Sequence, residues 1–287
     1  NTQSVTPKNI RLYGLVQKYN LLKNAETISI QNCSDIRNIY NELVIEEIKN
    51  NDPLNLPDGH FFRKESVSVY SPHMKEIHRG ISGEAAIIDC MEKALFILHD
   101  ESLPPLIRIS IFHYLFGYIH PFYDGNGRTN RFISSYLLSK ELDPLISYHL
   151  ARTIQQNISK YYKSFDYTND INNRGDLTGF ITNFLEIILE SVESLNDSLE
   201  EKINHLHYFE EILLSDFKDK TDYGILHLLL QNSLFGLEPL SAREMAEILD
   251  KSYVTINNRL KKDSIKTLLR SDIPHKYDLD LDMLKTL

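Results

Sequence analysis

Twelve consecutive residues bring together side chains that could bind a phosphate and move a proton. This stretch, residues 120–131, reads His-Pro-Phe-Tyr-Asp-Gly-Asn-Gly-Arg-Thr-Asn-Arg. Within this stretch, His120 is the group whose ordinary pKa suits it to accept a proton near neutral pH. Gly125 and Gly127 allow the backbone to adopt positive φ and to approach a ligand closely. The combination indicates a phosphate site with a base beside it.

The charged side chains of the stretch fit the same chemistry. Arg128 and Arg131 lie three residues apart, so on a helix they project from one face, where forked guanidinium groups can bind phosphate oxygens. Asp124 would repel phosphates unless a cation lay between them. Because Mg²⁺ is commonly bound by a carboxylate together with phosphates, we expect Mg²⁺ at this position.

Apolar segments on both sides identify the stretch as a loop between two helices. Residues 104–119 are so apolar that they must be buried, and two prolines at their start suit a helix N-terminus. Apolar residues then recur at helical spacing over residues 132–138. The N-terminus of this second helix would offer N–H groups and a positive dipole end to an anion. The end of the first helix favours a charged His120 whereas the arginines oppose it, so the direction of its pKa shift is left open.

The same residues resemble the signature of the Fic (filamentation induced by cAMP) family, His-x-Phe-x-(Asp/Glu)-Gly-Asn-Gly-Arg-x-x-Arg, and match it at every fixed position. The resemblance implies a protein adenylyltransferase, which moves AMP from ATP to a hydroxyl of a target protein and releases pyrophosphate. It also implies a mainly α-helical fold, with a Fic-type core and a β-hairpin flap.

The resemblance implies a role for each matching residue. His120 would deprotonate the target hydroxyl, Asp124 would hold Mg²⁺ against the α- and β-phosphates, and Phe122 would anchor the loop in the core. The remaining matching residues would bind the phosphates of ATP. Backbone groups of Gly125, Asn126 and Gly127 would form an anion-binding nest. Arg128 would bind the phosphates, and Arg131 would bind the γ-phosphate end.

A second group of candidates lies in the segment of residues 146–165 and in the loop that we expect after it at residues 168–170. In Fic proteins a Tyr-Tyr pair followed by an Asn lines the adenosine pocket, so Tyr162 and Asn169 are candidate adenosine contacts, with Tyr161 beside them. Packing of both tyrosines in the core is the alternative.

Residues 61–80 change from helical to alternating periodicity, which predicts a two-stranded hairpin. In the resembling family a flap at this position pairs with an extended segment of the target protein by strand addition. We therefore expect a protein substrate to dock on residues 61–80. An ordinary surface hairpin is the alternative.

Composition breaks predict four regions: a helical region at 1–58, the catalytic core at 59–200, a linker helix at 201–222 and a small module at 223–287. Within the last region, residues 241–262 resemble a helix-turn-helix of the winged-helix type. Contact with DNA through these residues is left open, as is a protein-docking or dimer-forming module. The alternatives for the whole chain are thus a DNA-binding regulator with a nucleotide-sensing core, or a Fic enzyme with another nucleotide donor or a de-AMPylating activity.

The composition is that of an ordinary globular protein, with 42% hydrophobic and 25% charged residues among 287. The net charge of −9 argues against a general nucleic-acid binder. Two cysteines without metal-ligand spacing fit a reducing compartment, and no apolar run is long enough to span a membrane. The chain begins at Asn1 without a basic-then-apolar leader, so missing upstream residues or a removed leader are left open. We expect a cytoplasmic protein, and a homo-oligomer is left open.

Overall fold

The structure is a computed structural model that describes residues 27–70, 76–236, 238–270 and 274–287. The helical periodicity predicted around Ile10 to Val16 and the tip of the flap at 71–75 lie outside these residues. The chain divides into two compact units, Asn1–Leu195 and Asn196–Leu287. The finer boundaries predicted at residues 58, 200 and 222 stay predictions.

The first unit is mainly α-helical, as the sequence predicts. Its helices are α1 (Cys33–Asn51), α2 (Glu84–Leu98), α3 (Pro105–Ile119), α4 (Asn126–Glu141), α5 (Ile146–Gln156), α6 (Ile158–Asn169) and α7 (Thr178–Asp216), the last of which continues past the boundary between the units. Short 3₁₀ turns follow α1 at Pro53–Asn55 and α6 at Ile171–Asn173.

One apolar cluster forms the core of this unit. The α3 residues Ile109, Phe112, Phe116 and Ile119 are buried in it. The expected burial of the run before the motif is thus confirmed in part, because other apolar residues of the run are only partly buried: Leu106, Ile107, Ile111 and Leu115. Each large apolar side chain buried in this way stabilises the fold by roughly 1.5–3 kcal/mol. The helices on either side of residues 120–125 are therefore held rigidly by the core.

The predicted hairpin is present. Strands β1 (Ser68–Tyr70) and β2 (Glu76–Arg79) are antiparallel, with Val69 opposite His78. Beyond β2, the N–H of Ile81 donates to the carbonyl of Ile119 over 3.1 Å. The base of the hairpin is thus bonded to the end of α3, directly before the motif.

Residues 146–169 form two helices, and the prediction of a loop at 168–170 was wrong for Thr168 and Asn169. The segment breaks at Asn157, which ends α5 and precedes α6, and α6 continues through Asn169. Asp170 has extended backbone angles, and its carboxylate accepts a hydrogen bond of 2.8 Å from the N–H of Asn172. The N–H of Asp170 still donates to the carbonyl of Asp166 over 3.1 Å, so helical bonding extends further than the polar composition indicated.

The second unit has its own apolar cluster and a small antiparallel sheet. Its further elements, in chain order, are α8 (Lys220–Phe235), β3 (Leu240–Ser241), α9 (Ala242–Ile248), α10 (Tyr253–Arg259), α11 (Asp263–Lys266), β4 (Leu269–Arg270), β5 (Lys276–Leu279) and α12 (Leu281–Leu284). The strand order in the sheet is β3-β5-β4. The winged-helix-like character of this unit stays a prediction. Across the described ranges, no helix is both long and apolar enough to span a membrane.

Candidate active site

His120 lies at the C-terminal end of α3 in a left-handed backbone conformation, with φ of 53° and ψ of 61°. Its N–H still donates to the carbonyl of Phe116 over 3.0 Å, so the helix ends here and the chain turns sharply into the motif. Histidine tolerates this conformation better than bulky branched residues do, although it costs roughly 1–2 kcal/mol. The turn directs the imidazole into a cavity beside the N-terminus of α4.

The carbonyls at the end of α3 are bonded by groups around the hairpin. His78 Nε2 donates to the carbonyl of Tyr118 over 2.7 Å, and Arg63 Nε donates to the carbonyl of His120 over 3.0 Å. Such carbonyls have no partner within their own helix and need donors from elsewhere. The backbone before and at His120 is therefore positioned by the hairpin and by the residues preceding it.

The imidazole of His120 is set up as a neutral base. Its Nδ1 contacts the carbonyl of Gly117 at 3.4 Å, and because a carbonyl only accepts, Nδ1 carries the hydrogen and Nε2 keeps its lone pair. Burial lowers the pKa of His120 to about 4, and electrostatic interactions with His78 and Arg63 act in the same direction. The Gly117 carbonyl and the Asp124 carboxylate oppose that pKa shift without reversing it. The direction that the sequence left open is thus decided by burial.

The motif turn is held in place by packing against α1 and by hydrogen bonds from the side chain of Asn126. Phe122 is fully buried and stacks on Tyr40 with 3.7 Å between ring centroids, so its expected anchoring role is confirmed. Asn126 accepts from the N–H of Phe122 over 2.9 Å and donates to its carbonyl over 2.7 Å. The side chain of Asn126 therefore braces the loop, and the backbone at this position remains for a ligand.

Gly125 is required by both conformation and space. Its φ is 81°, and an added Cβ would lie 2.9 Å from Val44 Cγ2 and 3.1 Å from Tyr40 Cε2. Gly125 is also the N-cap of α4, where no side chain forms a capping bond, and the first helical bond runs from the N–H of Thr129. The N–H groups of the first turn of this 16-residue helix, which precede that bond, can thus receive an anion.

The two motif arginines have different surroundings, although both lie on α4. Arg131 lines the cavity, is half-buried, and packs so closely on Gly127 that an added Cβ there would lie 3.0 Å from its Nη1. Within the part of the chain that the structure describes, no carboxylate lies within ion-pair distance of Arg131. Arg128 instead pairs with Glu47 of α1 and lies 3.5 Å from an Asp124 oxygen.

The cavity has a volume of about 180 Å³ and joins the motif to the hairpin and to α6. Its wall contains His120, Asn126, Gly127 and Arg131 from the motif, Val69 and His78 from the hairpin, Tyr161, Tyr162, Phe165, Asp166 and Asn169 from α6, and Gly117 and Asn130. Tyr162 and Asn169 therefore share one cavity with the candidate base. Asp124, Gly125 and Arg128 do not contribute to this wall.

The two candidate adenosine contacts present different groups. Tyr162 is 49% exposed, so its ring is available as a flat surface at the mouth of the cavity. The side-chain carbonyl of Asn169 accepts from the hydroxyl of Tyr114 over 2.7 Å, which leaves its amide hydrogens for another acceptor. Their roles in binding adenosine stay predictions, as do those of the phosphate-binding residues.

A buried histidine network that the sequence analysis missed supports the cavity wall. His113 contacts Ser134 Oγ at 2.7 Å through Nδ1 and the hydroxyl of Tyr161 at 2.8 Å through Nε2. Burial, with a smaller contribution from the charge of Arg131, lowers the pKa of His113 to about 3 and keeps it neutral. Its position inside the apolar run of α3 was the available signal, because a histidine there must be buried.

Asp124 is the acidic residue of the motif itself. One of its oxygens accepts from the N–H of Gly125 over 2.5 Å, and its side chain is 55% exposed. Among the described residues, no three His, Cys, Asp or Glu side chains are grouped to hold a metal by themselves. One exposed carboxylate nevertheless fits Mg²⁺, which takes most of its other ligands from phosphates and water.

Comparison with known proteins relates the part of the chain that contains this site to a known family. Residues 31–138, which include the motif, match the model of the Fic/DOC family. This part of the chain, which includes the motif, is thus similar to the Fic/DOC family.

Particular relatives extend the comparison. The chain is 31% identical over 130 residues to "Protein adenylyltransferase Fic" of Drosophila melanogaster, a match that covers 45% of this chain and 23% of that protein. The Drosophila virilis protein of the same name is also 31% identical over 130 residues, and 24% of it is covered. The chain thus spans about a quarter of the length of these curated relatives. A crystal structure of a Fic family protein from Desulfovibrio desulfuricans G20 aligns over 97% of this chain and 77% of that one, with 19% identity and a TM-score of 0.56, and supports the fold.

Proposed function

We propose that this protein transfers AMP from ATP to a hydroxyl side chain of a target protein and releases pyrophosphate. The observation that carries the proposal is the shared cavity of His120 and Arg131 at the N-terminus of α4. A neutral imidazole with an unprotonated Nε2 thus lies beside a guanidinium that has no acidic partner among the described residues. The family relationship and the names of the Drosophila relatives agree with this chemistry.

ATP would be held by two parts of the cavity. Its phosphates would bind the N–H groups at the start of α4 and the guanidinium of Arg131, which both favour negative charge. Its adenosine would lie against Tyr162 and receive a hydrogen bond from the amide of Asn169. The volume of about 180 Å³ is below the roughly 300–1,000 Å³ of typical small-molecule sites, so ATP would fill the cavity and extend beyond it.

His120 would act as general base. Its Nε2 takes the proton of the target hydroxyl while the hydroxyl oxygen forms a bond to the α-phosphorus. The bond between that phosphorus and the β-phosphate bridging oxygen breaks, and pyrophosphate leaves with the electron pair. A positioned base of this kind contributes about 10²- to 10⁴-fold to the rate, and most of the remaining acceleration comes from positioning and charge stabilisation.

Mg²⁺ and the protein substrate complete the proposed complex. Asp124 would hold Mg²⁺, which supplies neutralisation of charge on the phosphates. The target segment would pair with a free strand edge of the hairpin at residues 61–80, whose residues Val69 and His78 line the cavity. Strand addition provides main-chain hydrogen bonds and brings a hydroxyl in the added strand near His120.

Labelled ATP tests this proposal. The purified protein, Mg²⁺ and a cell lysate are incubated with ATP that carries radiolabel on either the α- or the γ-phosphate. AMP transfer predicts protein-bound label from α-labelled ATP alone, whereas phosphate transfer would give label from γ-labelled ATP. The exposed His207 provides a matched control, since His207→Ala should leave the labelling unchanged.

Two further arms address the alternatives within the family. An excess of unlabelled GTP or CTP that removes the signal more effectively than ATP would indicate another nucleotide donor. Loss of label from a previously modified protein, without ATP present, would indicate removal of AMP. Either result would overturn transfer from ATP as the principal activity.

Contact with DNA through residues 241–262 is a second proposal. It is supported by two short helices, α9 and α10, joined by a turn, with exposed side chains at Lys251, Tyr253 and Lys261. Against it, Arg259 and Lys262 form ion pairs with Asp222 at 2.9 and 2.5 Å, which reduces the basic character of this face. Fluorescence anisotropy with duplex DNA at 50 and 200 mM salt decides it, because DNA contact predicts steeply salt-dependent binding. Absence of binding at the lower concentration would contradict it.

A further inference from the structure

Arg63 is a buried cation that lies between the hairpin and His120. Its side chain is 0% exposed, and it is among the largest fully buried side chains of the described residues. Burial lowers the pKa of its guanidinium, because the charged form is removed from water. Burying an unpaired charge is costly, so an arginine here needs strong compensation.

The compensation comes from backbone carbonyls. Arg63 Nε donates to the carbonyl of His120 over 3.0 Å, Nη2 donates to that of Ile81 over 2.7 Å, and Nη1 donates to that of Glu65. The N–H of Arg63 also donates to the carbonyl of Pro121 over 3.2 Å. Over the described ranges no carboxylate pairs with it. The guanidinium thus joins three separate backbone segments around the motif.

Gly80 shows how closely these segments are packed. A Cβ at this position would lie 2.5 Å from Arg63 Nη2, 2.9 Å from His120 Cβ and 3.1 Å from the Ile119 carbonyl oxygen. The chain leaving β2 therefore passes directly over the contact between Arg63 and His120. A larger residue at position 80 would displace one of the two.

We propose that Arg63 is a positioning residue that couples the placement of the flap to the placement of the catalytic base. The inference rests on the proposed function, because it assigns His120 as the base. If only core packing were needed, an apolar side chain of similar size would avoid the cost of a buried charge. The fork of an arginine instead fixes the positions of several acceptors at once. Here those acceptors belong to His120 and to the two segments that flank the hairpin.

Two variants of Arg63 and a matched control test the proposal. Arg63→Met keeps much of the volume and removes all three donor nitrogens, whereas Arg63→Lys keeps the charge but has a single donor nitrogen in place of the three. Arg37→Met is the control, because Arg37 also donates to this region, with Nη1 bonded to the carbonyl of Phe61 at 2.9 Å, but does not contact His120. Each protein is examined for amide hydrogen exchange over residues 76–82, for ATP binding by calorimetry, and for transfer.

A positioning role predicts a specific split among these readouts. Arg63→Met should bind ATP with nearly the wild-type Kd but transfer AMP more slowly by a factor on the order of 10². Exchange at residues 76–82 should be faster, with Arg63→Lys intermediate in both measurements. Arg37→Met should resemble the wild type in exchange and in transfer. A residue with a merely structural role would not separate ATP binding from transfer.

Several results would overturn the positioning role of Arg63. Wild-type exchange and wild-type transfer in Arg63→Met would overturn it, as would an equal loss of ATP binding and transfer in folded protein. If Arg63→Met fails to fold, Arg63→Lys and Gly80→Ala are read by the same criteria, since both disturb the contact while keeping a charge at position 63. If the wild type shows no transfer, the proposed function fails, and the exchange data still decide whether Arg63 holds the hairpin.

Discussion

Glu47 and Arg128 form an ion pair that links α1 to the motif helix α4. Their side chains are 11% and 23% exposed, so the pair is largely shielded from water. The carboxylate of Glu47 neutralises the charge of Arg128. Arg131, one turn further along α4, faces the cavity instead. The two arginines should therefore differ in what they contribute to stability and to binding.

Removing the Glu47 carboxylate should destabilise the protein more than it affects ATP binding. We expect Glu47→Gln to lower the free energy of unfolding by about 1–3 kcal/mol, since a shielded hydrogen bond between charged groups is lost. Glu46→Gln is the control, because Glu46 is 71% exposed and pairs with Lys49 at the surface, where such pairs contribute little. Denaturant titration measures both. Equal stability of the two variants would contradict the assignment.

Arg131→Met should weaken ATP binding more than it destabilises the protein, which is the opposite of the effect expected for Glu47→Gln. We expect the Kd for ATP with Mg²⁺ to rise about 10- to 100-fold, equivalent to roughly 1.5–3 kcal/mol of hydrogen bonding to a charged group. Stability should change little, because no ion pair of the described residues is broken. Calorimetric titration, with Arg128→Met alongside, gives the comparison. An Arg131→Met protein that binds ATP as tightly as the wild type would exclude Arg131 as a phosphate ligand.

The kcat/KM of AMP transfer should begin to fall only at an unusually low pH. Because the pKa of His120 is lowered to about 4, the imidazole stays neutral, and able to accept a proton, down to that pH. We expect kcat/KM to be nearly constant from pH 8 to about 5.5. An inflection near the ordinary histidine pKa of about 6.5 would show that His120 is not buried as described.

The free energy of unfolding should also depend on pH, because burial lowers the pKa values of two histidines. Burial lowers the pKa values of His113 and His120 in the folded protein to about 3 and 4, so the unfolded chain binds more protons between these values and about 6.5. The free energy of unfolding should therefore fall as the pH decreases from 6.5 toward 4. Unfolding titrations at several pH values measure this, and His113→Gln should show a shallower decrease. Stability that rises on acidification through this window would contradict the burial of both rings.

Gly125→Ala should be more harmful than the same change at another glycine with positive φ. Gly83 has a φ of 85° and open space around it, so Gly83→Ala should cost only the conformational strain of about 1–2 kcal/mol. Gly125→Ala adds contact with Val44 and Tyr40, and we expect a loss of about 2–5 kcal/mol. Thermal unfolding of the two proteins gives the comparison. Equal midpoints would show that α1 does not pack on the turn.

Local patterns predicted the features that depend on neighbouring residues. The apolar periodicity of residues 104–119 and 132–138 predicted helices on both sides of the motif, and both are present. The alternation near Val67 predicted the hairpin, because strand periodicity is visible over a few residues. The burial of Phe122 was implied by the resemblance to the Fic signature and not by a local pattern.

Contacts between distant residues could not be predicted in this way. Arginine side chains are mostly exposed, and only the packed structure shows that Arg63 is buried among carbonyls. Glu47 and Arg128 are 81 positions apart, and no local pattern relates them. The pKa direction of His120 depends on burial by several segments, which composition and spacing do not reveal.

The assignment of His120 as the base is decided by one comparison in the purified protein. ATP binding by calorimetry and transfer from α-labelled ATP are measured for the wild type and for His120→Ala. We predict that the variant binds ATP with a Kd close to that of the wild type and transfers AMP at least about 10²-fold more slowly. Wild-type transfer by folded, ATP-bound His120→Ala would contradict the assignment and the mechanism built on it.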